Sequence, residues 1–325
     1  MMNLLDKLKY DLYKIYHPEI FQGRYKKKSY FEGWYFKIIN KEMDYALAII
    51  PGISIGENYK DGHAFIQLLD NNGYTHYISY NLSEFQFDER QFIISIGGNY
   101  FSKNYMKLNI DREGTRIYGK VYFTNIVDLP KSFLKPGIMG PFSYVPFMEC
   151  FHGIVNIHHK NIGYLNINGN KVDFTQGYGY IEKDWGRSFP EKWIWIQSNH
   201  FGNDNVTFMF SVAKIPWFGF HFRGFLALIQ INGHVHVFAT YTNARIKLLK
   251  YNDARISAVI EDKHYRVKFQ ADNNIGGYLK APGKGAMTRV VKESINARLR
   301  LKIMDKQGRV IYSGTGTNTG VEISM

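Results

Sequence analysis

Apolar and polar positions alternate along most of this chain with a period of two, the spacing of a strand with one covered face. From residue 31 onward, runs such as YALAII, IYGKVYF, FLALIQI, HVHVFATY and RVIYSG are rich in β-branched and aromatic side chains, which suit a pleated, half-buried surface. Turn signals punctuate them: NNG at Asn71–Gly73, REG at Arg112–Gly114, NING at Asn166–Gly169, ING at Ile231–Gly233 and KQG at Lys306–Gly308. Short strands joined by such turns predict an all-β protein, a sandwich or a barrel. There is no βαβ alternation and no phosphate-loop glycine pattern, which argues against a nucleotide-binding α/β fold.

One segment follows the helical period. Leu4, Leu5, Leu8, Leu12 and Ile15 recur at helix spacing, with Lys7, Lys9 and Lys14 among them, and Pro18 stops the run. The apolar face is expected to pack across a barrel end. The alternative is an interfacial helix whose lysines meet anionic lipid, a peripheral membrane contact. The longest break between strands, residues 128–147, holds four prolines amid Phe and Met. It is too apolar for a linker and predicts a loop packed over an apolar opening.

Composition adds three constraints. With 325 residues and 45% apolar content, the chain can bury two domains or one very large barrel. Two successive barrels fit the strand count, with a border near residue 172 (1–172 and 173–325). A net charge of +13 brings in nucleic acid or an anionic membrane as partners. The basic residues are scattered except at Lys26–Lys28, and no zinc-finger spacing or RNP-type motif occurs, so no nucleic acid is expected. The single Cys150 excludes an intramolecular disulfide and favours a reducing, cytoplasmic setting. No apolar run is long enough to span a bilayer.

Strand alternation also groups the chemistry. It places Glu32, Trp34 and Phe36 on one face, with Tyr35 and Lys37 on the other. Phe147, Glu149 and Phe151 stand opposite Met148, Cys150 and His152. Tyr178, Tyr180, Glu182 and Asp184 align, as do Trp193, Trp195, Gln197 and Asn199, opposite Ile194, Ile196, Ser198 and His200. Acids and amides among large aromatics exceed what packing needs. A carboxyl enclosed by aromatic walls is pushed towards its neutral form and can act as a general acid. Aromatic faces stabilise a carbocation. The same spacing equally fits Glu182 and Asp184 as surface residues of a hairpin, partnered by Lys183 and Arg187. His234 and His236 share a strand face, but no third ligand and no HExxH accompany them, so no metal is expected.

YFEGWYFK (Tyr30–Lys37) and GYIEKDWGRSFPEKWIWIQSNHF (Gly179–Phe201), with YLKAPGKGAMTRVVKESINARLRLKI and the VEI of Val321–Ile323, resemble the tocopherol cyclase family. The resemblance spans almost the whole chain and is weaker in the middle. It implies two consecutive lipocalin-like β-barrels and cofactor-free chemistry on a prenylated quinol. In that chemistry a proton adds to a trisubstituted alkene, and the phenol oxygen closes on the tertiary cation. Residue chemistry then suggests roles. Asp184 or Glu182 is the acid, with Glu32 and Glu149 in reserve. Trp34, Trp185, Trp193 and Trp195 form the walls. Tyr180, Gln197 and Asn199 orient the phenol, and His152 and His200 are candidate phenol bases. The rival is a non-catalytic carrier holding an apolar ligand in a barrel.

Overall fold

The computed structural model describes residues 4–202, 206–273 and 275–325, without the side chains of residues 4–6. Its strands form two antiparallel sheets, one of twelve strands and one of ten, with one α-helix, Leu4–Tyr16. The five turn signals all reverse the chain between strands, and Gly73, Gly114, Gly169, Gly233 and Gly308 take the positive φ these turns require.

In the first sheet, strand Tyr30–Ile39 pairs on one side with Ala46–Ile55 and on the other with Tyr178–Gly186, which in turn pairs with Cys150–Ile167. This sheet runs from Thr75–Asn81 at one end to Phe85–Phe87 at the other; the second runs from His234–Ala239 to Arg245–Asn252. The all-β expectation holds. Closure into barrels is not carried by hydrogen bonds, because the two end strands of each sheet are unpaired with one another among the described residues. In each case a short 3₁₀ turn, Leu82–Glu84 or Thr240–Thr242, separates those end strands where a hairpin ladder would be needed.

Strand Tyr178–Gly186 follows residue 172 in the chain yet belongs to the first sheet, so the passage between sheets falls at residues 187–192. Alternation then sorts the side chains into three apolar cores. Trp34 and Phe36 face a core inside the first sheet, and Phe208, Phe210 and Phe269 one inside the second. Tyr35, Tyr180, Trp193, Trp195, Leu228 and Ile295 form a third core that draws on both sheets. The site lies in this third layer.

The helix does not behave as expected. Leu8 and Leu12 are 56% and 50% exposed, so these two positions of the stripe are not covered as expected, whereas Ile15 is half-buried. Leu4 and Leu5 carry that expectation onto side chains outside the described residues. No helix among the described residues is long and apolar enough to cross a membrane. The loop at 128–147 packs as its apolar content predicts, burying Leu129, Ile138 and Met139, but it leaves Phe133 and Leu134 in solvent.

Candidate active site

Register brings the polar groups of the third layer together. Tyr35 stands opposite Glu182, and Asp184 lies between Gly33 and His152 across the two neighbouring strands. In the second sheet Glu322 is flanked by Trp195 on one strand and Glu293 on the other. A cavity opens over these residues, lined on its polar side by His152, Glu182, Asp184, Glu293 and Glu322. Its apolar walls include Tyr35, Trp193, Trp195, Phe142, Phe189 and Phe222. The cavity therefore lies between the sheets and not inside either one.

Each carboxyl has a defined partner. The Tyr35 hydroxyl donates to Glu293 Oε1 at 2.5 Å, and Trp193 Nε1 donates to Glu322 Oε2 at 2.7 Å. Glu182 Oε2 accepts from the Tyr180 hydroxyl at 2.6 Å and from Trp195 Nε1 at 3.1 Å. Glu293 is 1% exposed. Burial, then the neighbouring Glu322 carboxylate, pushes its pKa well above the ordinary carboxyl range, and the two carboxyls are hydrogen-bonded to each other. Like charges directly opposite on adjacent strands repel, and sharing a proton removes the conflict. Glu182 is pushed up to about 7, chiefly by burial and against the pull of His152.

His152 Nδ1 lies 2.9 Å from Asp184 Oδ1, and its Nε2 lies 3.6 Å from Glu182 Oε2. Burial opposes its charge, but the Asp184 and Glu182 carboxylates overcome that and lift it to about 9. It is therefore an imidazolium at neutral pH. A cationic ring has no free lone pair to accept a proton, so a phenol-base role for His152 would require it to lose its proton first. His152, Glu182 and Asp184 each offer a ligand atom within 4.8 Å of one another and form the grouping among the described residues that could hold a metal ion. As arranged here, His152 Nδ1 is paired with Asp184, while the buried His152 Nε2 has no protein hydrogen-bond partner.

The other sequence candidates are spread elsewhere. Trp34 and Glu32 share the opposite face of their strand from Tyr35; Trp34 stacks on Phe92 in the first core, and Glu32 pairs with buried Lys183 at 2.5 Å. Trp185 stacks on Phe151, off the cavity wall. Glu149 also lies outside the lining, as does Tyr180, which touches the site through Glu182. Sequence reading missed Glu293, Glu322 and the site role of Tyr35. Their segments, VKESI and VEI, entered the sequence reading only through the family resemblance, and nothing local shows that both strands bury their acids.

Gln197, Asn199 and His200 continue the layer away from the cavity, beside Lys37. That amine is fully buried, donates to the carbonyls of Gln197 at 3.3 Å and Asn318 at 3.0 Å, and is pushed down to about 7 by burial. The Gln197 amide, both His200 nitrogens, Asn199 Oδ1 and the Thr319 hydroxyl have no protein hydrogen-bond partner. An unmet buried polar group costs about 1–3 kcal/mol, so this seam is expected to hold ordered water. A crystal structure showing it dry would refute this.

The family model described as tocopherol cyclase-like matches residues 131–325. The chloroplastic tocopherol cyclase of Zea mays is 25% identical over 190 residues; the match covers 55% of this chain and 40% of that protein. Among solved structures, CghA superposes with a TM-score of 0.56 at 9% identity over 90% of this chain and 88% of the other. Kievitone hydratase from Nectria haematococca gives 0.50 at 12% identity over 91% and 89%. These two similarities establish a common fold.

Proposed function

The chain belongs to the tocopherol cyclase-like family, and we propose that it is a cofactor-free cyclase or hydratase that protonates an isoprenoid alkene, a prenylated quinol being the first candidate. The observation that carries this reading is the buried Glu293, hydrogen-bonded to Glu322 and with its pKa pushed well above the ordinary carboxyl range, at the wall of an aromatic cavity. A carboxylic acid kept protonated at neutral pH is the proton donor such chemistry needs.

Glu293 gives its proton to one alkene carbon, leaving a tertiary cation at the other. The faces of Trp193, Trp195 and Tyr35 and the carboxylates of the site stabilise that cation. A phenol oxygen, or water, then forms the new C–O bond, and its proton returns to the Glu293–Glu322 pair. The reaction is redox-neutral. Asp184 holds His152, whose positive charge lowers the cost of the neighbouring carboxylates. We read the two curled sheets as lipocalin-like units whose site has moved from the interiors to their junction.

The test is to extract ligand from protein purified from its native host and identify it by mass spectrometry. The ligand class is then incubated with the enzyme in H₂¹⁸O. An isomer without label indicates cyclisation, and a product one labelled water heavier indicates hydration. Ligand that binds and is returned unchanged would favour the carrier and remove the catalytic reading.

A further inference from the structure

We propose that the rim of the cavity is a membrane-docking surface for an anionic lipid bilayer, built from three separate elements that present exposed apolar side chains together. The first is a two-residue hairpin tip inside the 128–147 loop. Ser132 and Lys135 close it with reciprocal backbone hydrogen bonds of 2.9 and 3.0 Å. Its tip residues Phe133 and Leu134 are 76% and 65% exposed, and Lys131 and Lys135 flank them. A loop built only to cover an opening would turn these side chains inward.

The second element is the tip joining strands Val206–Trp217 and Phe220–Ile231. Phe218 and Gly219 both have positive φ, a turn that projects Phe218 into solvent at 74% exposure, with Phe220 at 57%. The third is the helix Leu4–Tyr16, where Leu8, Leu12 and Tyr16 follow one another at i, i+4 on one face.

Side-chain contacts join the three. The hydroxyls of Tyr16 and Tyr144 lie 2.6 Å apart, and Tyr144 donates to the Phe133 carbonyl at 2.5 Å, so the helix stripe ends on the first tip. Exposed Phe147 packs on Phe218 with ring centroids 5.1 Å apart, which links the same loop to the second tip. Trp217 behind it touches Phe142 and Phe222 at 6.1 and 6.0 Å, and both of these phenylalanines line the cavity. The exposed apolar surface is thus continuous with the cavity wall, the route an apolar ligand would take without crossing water.

Charge selects the partner. Lys7 and Lys9 bracket Leu8, and the exposed Lys26–Lys28 run lies beyond Tyr25, whose ring Lys7 covers at 5.7 Å. Of the helix's two acids, Asp6 and Asp11, the latter is answered by Lys14 at 2.9 Å, and Lys131 also reaches Glu19 at 3.2 Å. Aromatic and leucine side chains among lysines match a bilayer carrying anionic headgroups. The proposal needs no chemistry in the cavity.

Co-sedimentation of the full chain with vesicles of phosphatidylcholine, with and without phosphatidylglycerol, tests it. Binding is expected to the phosphatidylglycerol vesicles and to weaken in high salt. F133S/L134S and F218S/F220S should each weaken it by about tenfold while leaving the melting temperature unchanged. Wild-type protein that stays in the supernatant, or well-folded variants that bind as tightly as wild type, would overturn the proposal. So would a dimer in solution that the same substitutions dissolve, since the surface would then belong to a second copy of the chain.

Discussion

Glu293→Gln should lower turnover by about 10²- to 10⁴-fold, the usual contribution of a positioned general acid, while ligand binding persists. Glutamine keeps the shape and can still accept from Tyr35, so the loss isolates the proton. Tyr35→Phe should cost less, because it removes only the hydrogen bond to Glu293. Asp184→Asn tests the sequence-derived alternative: if it abolishes turnover while Glu293→Gln does not, the donor lies on the first sheet. The pH profile gives a second readout. The donor must be protonated, so activity should fall as pH rises through the Glu293 pKa, which burial and the neighbouring Glu322 push well above the ordinary carboxyl range. Stability should move the same way. Glu182 is raised above its ordinary 4.5 and His152 above 6.5. Each favours folding in full below its unfolded value, and the contribution is lost as pH rises through about 7 and about 9 respectively. Thermal melts across that window that rise with pH would refute this assignment.

Alternation was the most informative feature of the sequence, because it is a local property of the backbone. It placed Glu182 with Asp184, and Trp193 with Trp195, and all four line the cavity. It could not say which face of a strand meets which neighbour. Strand Tyr30–Ile39 shows the difference: its Trp34 face is as rich in chemistry as its Tyr35 face, yet only the latter turns to the site. The meeting of Glu293 and Glu322 depends on pairing between strands Ala286–Asp305 and Val310–Ser324 and on a second sheet covering them, neither of which hydropathy encodes. The same limit explains the helix. Amphipathicity announces that a face will be covered, and here, among the described residues, about half of Leu8 and of Leu12 stays exposed.

Lys183→Met should destabilise the fold by about 3–5 kcal/mol, the cost of leaving one member of a buried ion pair alone. Lys183 and Glu32 are both fully buried, and the amine also donates to the carbonyls of Pro18 at 2.7 Å and Ile20 at 2.5 Å. It sits 4.7 Å from the Trp34 ring centroid and 4.8 Å from that of Trp185, so two of the four tryptophans expected to wall the site hold this amine instead. Glu32 in turn accepts from the Tyr30 hydroxyl and from the Gln22 backbone N–H at 2.9 Å. This network ties residues 18–22, and through them the helix, to the first sheet. Glu32, a reserve acid by its residue type, is thus engaged in structure. K183M/E32L removes both charges and should recover much of the loss, because matched apolar groups carry no desolvation penalty. Denaturant melts of the two single variants and the double variant would measure the coupling. If the single variant melts with wild type, the pair does not anchor the N-terminal segment.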